Sequence, residues 1–93
     1  MTTARQFSRI TEESYNETLR GFETSHPNLF HFIEDEIRKS AESSHREVEV
    51  KLSLERGEDL LTKRVLYKYG FRQKWTVSQG NDDFATYTVK IEW

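Results

Sequence analysis

Val48, Val50, Leu52 and Leu54 alternate with Glu47, Glu49, Lys51, Ser53 and Glu55, and no other stretch of the chain limits the possible folds as tightly. A period of two puts every apolar side chain on one face of an extended segment and every polar one on the other. The segment reads as a half-buried strand in a sheet that is covered on one side only.

The residues after it supply the partners. Past Arg56-Gly57, the spacing of Leu61, Val65 and Tyr69, with Leu66 beside them, predicts a helix over 58–69, and Gly70 stands where a left-handed helix end is wanted. Phe71, Trp75 and Val77 then alternate with Arg72, Lys74, Thr76 and Ser78. Gln79 to Asp83 holds the Gly and Asn/Asp of a turn, and Tyr87, Val89, Ile91 and Trp93 alternate with Thr86, Thr88, Lys90 and Glu92. These two runs predict a hairpin.

Upstream, Phe7, Ile10, Tyr15, Leu19 and Phe22 fall near helical spacing, with an imperfect register. Glu23 to His26 breaks the pattern, and Pro27 suits the first turn of a second helix, where its missing N–H is not needed. That helix carries Leu29, Phe30, Phe32, Ile33 and Ile37, with Glu34/Arg38 and Asp35/Lys39 spaced as ion pairs, and it stops in 40–45.

The resulting order is ααβαββ, an α+β fold in a single domain over 1–93, divided into a helical arm (1–45) and a βαββ unit (46–93). A strand–helix–strand crossover leaves room for a strand between its two strands. The last strand, the most regular and aromatic, is expected there, giving a three-stranded sheet of order 1-3-2 with one open face. Phe7, Phe22, Phe30 and Phe32 in the arm present more apolar area than such a sheet can cover beside one helix. Either the two helices close over the core as a hairpin or they bury the excess against another copy. The second alternative makes Phe7, Phe22, Phe30, Phe32, Ile33 and Ile37 an oligomer interface.

Composition narrows the chemistry. The chain has 93 residues and no cysteine, which excludes a disulfide framework, a thiolate zinc site and a cysteine nucleophile. It lacks an apolar run of about 20 residues, and its start is not followed by a signal-peptide core, so no membrane is expected and the cytoplasm is the expected compartment. Residues 1–59 hold 8 Lys/Arg against 13 Asp/Glu, whereas residues 60–93 hold 6 against 3. That asymmetry reflects either solvated faces or an acidic surface that meets a basic one in a copy or a partner.

Enzyme chemistry finds little to stand on. His26 and His31 are five apart, off the spacing for two helical metal ligands, and a surface or capping role suits them and His45. Glu34-Asp35-Glu36 is matched to basic residues a turn later, and Asp82-Asp83 lies in a turn. No phosphate loop, nucleophile elbow or metalloprotease motif occurs, and no metal or cofactor is implied. The cluster that stands out is Lys63, Arg64, Tyr67, Lys68, Tyr69, Arg72, Lys74 and Trp75, since 60–81 contains five basic residues and no acidic one. Cations interleaved with rings can hold a nucleotide, charge meeting phosphate and ring meeting base. Core aromatics alternating with solvated basics would leave the same pattern. Ligand binding, if it occurs, falls to Lys63, Arg64, Tyr67, Arg72, Lys74 and Trp75. Nucleic acid is not expected as a partner, because the overall charge is negative and no recognition helix is evident.

Gly70-Phe71, Arg72, Lys74, the turn Asn81-Asp82-Asp83 and the ending Tyr87-Thr88-Val89-Lys90-Ile91-Glu92-Trp93 resemble small bacteriophage accessory or virion-associated proteins. The resemblance covers about 48–93, with Phe71 in place of a tyrosine and Glu92 in place of a serine. It implies a phage-like origin, action in the host cell cytoplasm, a non-enzymatic role and self-assembly. The expectation is an oligomeric binding protein that sequesters a nucleotide-like anion or occludes a host defence factor. The alternatives are a virion or scaffold component and an inhibitor of a host enzyme.

Overall fold

The computed structural model describes residues 3–93, with the side chains of Phe7 and Thr11 outside the described part. The elements are α1 (Ala4–Ser25), α2 (Pro27–Glu42), β1 (Glu47–Glu55), α3 (Glu58–Lys68), β2 (Arg72–Gly80) and β3 (Phe84–Glu92). The fold is α+β, and the sheet has the order β1-β3-β2 with both pairings antiparallel. β1 and β2 are therefore parallel to each other, and the last strand fills the slot that their crossover leaves.

The register sorts the side chains by face. Val50, Val89 and Trp75 form one row across the sheet and Leu52, Tyr87 and Val77 the next, all on the apolar side. Val50, Leu52, Leu54, Val89 and Ile91 are buried there. The opposite face carries Glu49, Lys51, Lys74 and Thr76, exposed to solvent. β2 runs on to Gly80, past the expected end at Ser78, because a bulge between Val77 and Gln79 lets pairing resume opposite Thr86. In the turn, the Asn81 Oδ1 accepts from the N–H groups of Asp83 (2.9 Å) and Phe84 (2.8 Å).

Three helices share the apolar face. α3 buries Thr62, Val65 and Leu66, and the Thr62 hydroxyl donates to the Glu58 carbonyl at 2.8 Å, so its burial leaves no polar atom unpaired. α2 lies over β1 and drives Ile33, only 2% exposed, into the main core beside Leu66, Val89 and Ile91. α1 contributes Leu19 and Phe22, which close a second cluster on Val65.

These placements correct the expected oligomer interface. Phe22 and Ile33 are core residues of the single chain and are not available to another copy. Phe30 and Ile37 are half-buried against the same core. Phe32 stays 45% exposed, and the Phe7 side chain falls outside the described part. The physical reason is that α3 alone leaves the β1 side of the apolar face open, and α2 fills it. The expected boundary at residue 45 between arm and sheet unit therefore moves into α1, near Leu19. From Ala4 to Thr18 the described side chains are all exposed, and this stretch projects about 22 Å beyond the body at 1.5 Å per residue. The radius of gyration, 15.5 Å, exceeds the roughly 12 Å of a compact domain of this length accordingly.

Local chemistry fixes both ends of α1. It starts at Ala4, three residues earlier than the apolar spacing suggests, because Thr3 and Gln6 form a capping box: the Thr3 hydroxyl accepts from the Gln6 N–H and the Gln6 side chain accepts from the Thr3 N–H. At the other end His26 is the elbow between α1 and α2. Its Nδ1 meets the Phe22 carbonyl at 2.9 Å, its Nε2 meets the Glu58 carboxylate at 2.7 Å, and its ring lies 4.3 Å from that of Phe22. One side chain thus ties the elbow to the start of α3. The other Glu58 oxygen accepts from the Glu55 N–H, linking the elbow to β1 as well.

Candidate functional site

The sequence of α3 decides what faces outward beside the sheet. With Thr62, Val65 and Leu66 turned inward, Leu60, Lys63, Arg64 and Tyr67 recur at intervals of three and four and fall on one outer face. The helix stops at Gly70, which has a φ of 87°, a conformation that costs other residues strain. The Gly70 N–H donates to the Tyr67 carbonyl and the Phe71 N–H to the Leu66 carbonyl, and the chain then reverses into β2. β2 runs back alongside that outer face of α3. A groove of about 1000 Å³ results between them, lined by Lys63, Arg64, Tyr67, Phe71, Arg72 and Trp75 among others.

Its floor is held rigidly. The Gln73 carboxamide donates to the Lys63 carbonyl at 2.9 Å and accepts from the Trp75 indole N–H at 2.8 Å. The indole ring packs edge-on against Tyr87, with centroids 5.3 Å apart. The Lys63 ammonium sits 5.1 Å over the Trp75 ring and 3.7 Å from the Asp59 carboxylate, so its charge is partly engaged. Arg64 and Arg72 make no ion pair among the described residues, and Tyr67, 75% exposed, offers an uncommitted ring. Arg64 beside the Tyr67 and Trp75 rings, with Arg72 at the β2 edge of the groove on the same strand face as Lys74, forms an arrangement that can meet a phosphate and a flat base together.

Five of the six residues expected at a ligand site therefore line one groove: Lys63, Arg64, Tyr67, Arg72 and Trp75. Lys74 does not. It lies opposite Lys90 on the open face of the sheet, because neighbouring strand residues point to opposite sides. Lys68 and Tyr69 also leave the cluster. The Lys68 ammonium lies 5.7 Å over the Tyr69 ring, and the Tyr69 hydroxyl donates to the Glu23 carboxylate at 2.9 Å, on the far side of α3. That bond, aided by burial, raises the Tyr69 pKa above its usual value.

Two features have no counterpart in the sequence reading. One is a second cleft of about 580 Å³ between α2 and α3, with Phe30, Ile37 and Phe71 as walls and Ile33, Val65 and Leu66 as floor. The other is the bridge from His26 to Glu58, which joins residues 32 positions apart. A helix-start pattern at Pro27 preceded by histidine was the only local signal for it. On α2, Arg38 lies 3.6 Å from Glu34 and 3.4 Å from Asp35, and Lys39 turns to Glu36, in place of the expected Asp35/Lys39 pair. Among the described residues, His, Asp and Glu form no group of three or more placed to hold a metal ion, and no helix is long and apolar enough to cross a membrane. Comparison with protein-family models, curated proteins and solved structures returns no match to this chain.

Proposed function

We propose that this chain is a non-enzymatic binding protein whose α3–β2 groove sequesters a small nucleotide-like anion. The observation that carries the reading is that Arg64, without an ion-pair partner among the described residues, stands with the rings of Tyr67 and Trp75 in one groove, which Arg72 borders at the start of β2. A base stacks on Tyr67 and the exposed part of Trp75, and the phosphates meet Arg64, with Arg72 reaching them from the edge of the groove. Lys63, drawn between Asp59 and the indole, is free to swing toward an added negative charge. The residues lining the groove supply charge and ring surface, which supports holding a ligand. In the phage context that the C-terminal half resembles, such a protein acts in the host cell cytoplasm by removing a nucleotide signal.

The experiment is a thermal-shift series with ADP, ADP-ribose and a cyclic dinucleotide. A ligand present at a hundredfold over its Kd stabilises by about 2.7 kcal/mol, a rise on the order of 10 °C for a chain of this size. Arg64→Ala and Arg72→Ala are expected to remove most of the rise, and Lys74→Ala to leave it unchanged. The reading fails if no member of the series raises the melting temperature, or if the rise survives loss of both arginines. A scaffold role, in which the chain binds only protein, is favoured by the projecting stretch of α1 and predicts indifference to all three nucleotides.

A further inference from the structure

β1 lies at one border of the sheet, and its outer edge is open along the middle. Just beyond the two ends of the strand, the Trp93 N–H donates to the Arg46 carbonyl and the Arg56 N–H to the Asp83 carbonyl, both at 3.0 Å. Antiparallel bonding alternates along a strand, so Val48, Val50, Leu52 and Leu54 bond to β3, whereas Glu47, Glu49, Lys51, Ser53 and Glu55 turn their N–H and C=O groups away from the sheet. Side chains occupy both ends of that outward row: the Ser40 hydroxyl donates to the Glu47 carbonyl at 2.6 Å, and the Glu55 N–H donates to the Glu58 carboxylate at 2.6 Å. Between them the main-chain groups of Glu49, Lys51 and Ser53 have no partner among the described residues, and all three residues are exposed. An open and regular edge is a template for another strand. The opposite border, β2, is interrupted by its bulge.

The strand that fits this edge is a second β1. In a twofold antiparallel pairing the outward residues of the two copies stand directly opposite one another, with their side chains on the polar face. An axis at Val50 sets Glu49 opposite Lys51 twice and Glu47 opposite Ser53 twice, and neither Glu49 nor Lys51 has an ion pair among the described residues. Axes at 47, 48, 49, 51 and 52 each oppose like charges: Glu47 to Glu47, Glu47 to Glu49, Glu49 to Glu49, Lys51 to Lys51 and Glu49 to Glu55. Axes from 53 onward need the Glu55 N–H that Glu58 already holds. Parallel pairing of two identical edges turns one copy over and puts the two helical layers on opposite sides of the sheet. Of the axes within β1, only the one at Val50 meets every condition.

An apolar contact falls on the same axis. Around α2, Ile33 points into the core while Phe30 and Ile37 turn toward α3, so Phe32, about 100° from Ile33 in the other sense, lies toward the outer edge of β1. The bond from Ser40 to Glu47 fixes the level of the helix over the strand, and the connection 43–46 turns β1 back beneath α2. Phe32 precedes Ser40 by about 12 Å of helix, which is between three and four residues of strand and brings it level with Val50. Its ring is 45% exposed in the single chain. We propose that β1 of one copy pairs with β1 of a second, antiparallel about a twofold axis at Val50. The two sheets become one of six strands, with the Phe32 rings of both copies above the junction. The main-chain bonds and the rings supply the binding, and the Glu49–Lys51 pairs fix the register.

The register supplies a test with a rescue. In sedimentation equilibrium of the full chain, the wild type is expected to form a dimer and nothing larger. Glu49→Lys and Lys51→Glu, both at exposed positions, are each expected to weaken the dimer at least tenfold, because the axis doubles every change. The two variants mixed together, and the double variant Glu49→Lys/Lys51→Glu alone, are expected to regain wild-type association, since each restores opposite charges across the axis. Amide hydrogen exchange at Glu49 and Lys51 is expected to slow as protein concentration rises, which contact through the helices alone would not cause. The pairing is overturned by a wild type that stays monomeric at millimolar concentration or builds an open-ended series of oligomers. It is equally overturned by single variants that associate as well as the wild type, by a double variant that stays weak, or by exchange that does not depend on concentration.

Discussion

α3 separates two recesses of opposite character. Toward β2 it shows Lys63, Arg64 and Tyr67 to a groove with free guanidinium groups and exposed rings. Toward α2 it shows Val65, Leu66 and Tyr69 to a cleft that is apolar at its base and carries Glu23, Glu34 and Arg38 at its rim. Both recesses arise from one 11-residue helix, and the side of the helix on which a residue falls decides its partner. Where cations are left without counterions, a small anion can be held. Where the walls are apolar and Glu34 and Arg38 pair with each other, no cation is left over for an anion.

The sharpest way to separate the two is to damage the shared core on one side. Ile33→Ala removes buried volume under the α2 cleft and should cost about 2–5 kcal/mol of stability in urea unfolding, whereas Ile10→Ala on the arm should cost under about 0.5 kcal/mol. Equal losses would mean that the arm belongs to the body. His26→Ala is next: it deletes the link from the elbow to Glu58 and exposes part of Phe22, and about 1–3 kcal/mol should be lost. Glu58→Gln, which keeps the bond from the Glu55 N–H, should lose less.

On the groove side, Arg72→Ala should weaken nucleotide binding about tenfold, equivalent to about 1.4 kcal/mol, with unfolding nearly unchanged because Arg72 is exposed. A large stability loss from that change would show that the arginine is structural. The pH response sharpens the contrast from the other side. The hydroxyl of Tyr69 is held by the Glu23 carboxylate, so its folded pKa lies above the unfolded value of about 10. The stability this provides is fully present below that unfolded value and is lost as pH rises through the folded one. Lys90, held by Glu47 and then Glu92, is raised in the same direction and loses its contribution in its own alkaline range. Tyr69→Phe should therefore flatten part of the alkaline decline in stability, the smallest of these effects, and leave nucleotide binding untouched.

How far this contrast was legible in the sequence depends on the residue. The alternation of Val48 to Leu54, of Phe71 to Val77 and of Tyr87 to Trp93 placed three strands, the spacing of Leu61, Val65 and Tyr69 before Gly70 placed α3, and the crossover rule gave the order β1-β3-β2. The basic and aromatic run from Lys63 to Trp75 was visible as a cluster, but proximity in sequence is not proximity in space. Tyr67 and Tyr69 differ by about 200° around a helix, and Lys74 and Trp75 lie on opposite faces of a strand. The burial of Phe22 and Ile33 was hidden for another reason. Counting apolar rings measures how much must be covered, whereas the part of β1 that α3 leaves uncovered is a property of the packed layers. His26 was legible as a capping residue and stands at the junction of α1 and α2, but its bond to Glu58 was not, since that partner is brought to it only by the fold.

The most direct test of the groove assignment is an amide- and indole-detected NMR titration of the full chain with ADP. The account predicts saturable shifts confined to Lys63, Arg64, Tyr67, Arg72 and the indole N–H of Trp75, with Ile33, Ile37 and Lys74 silent. Shifts centred on the α2–α3 cleft or the open sheet face, or none at millimolar ADP, would contradict it.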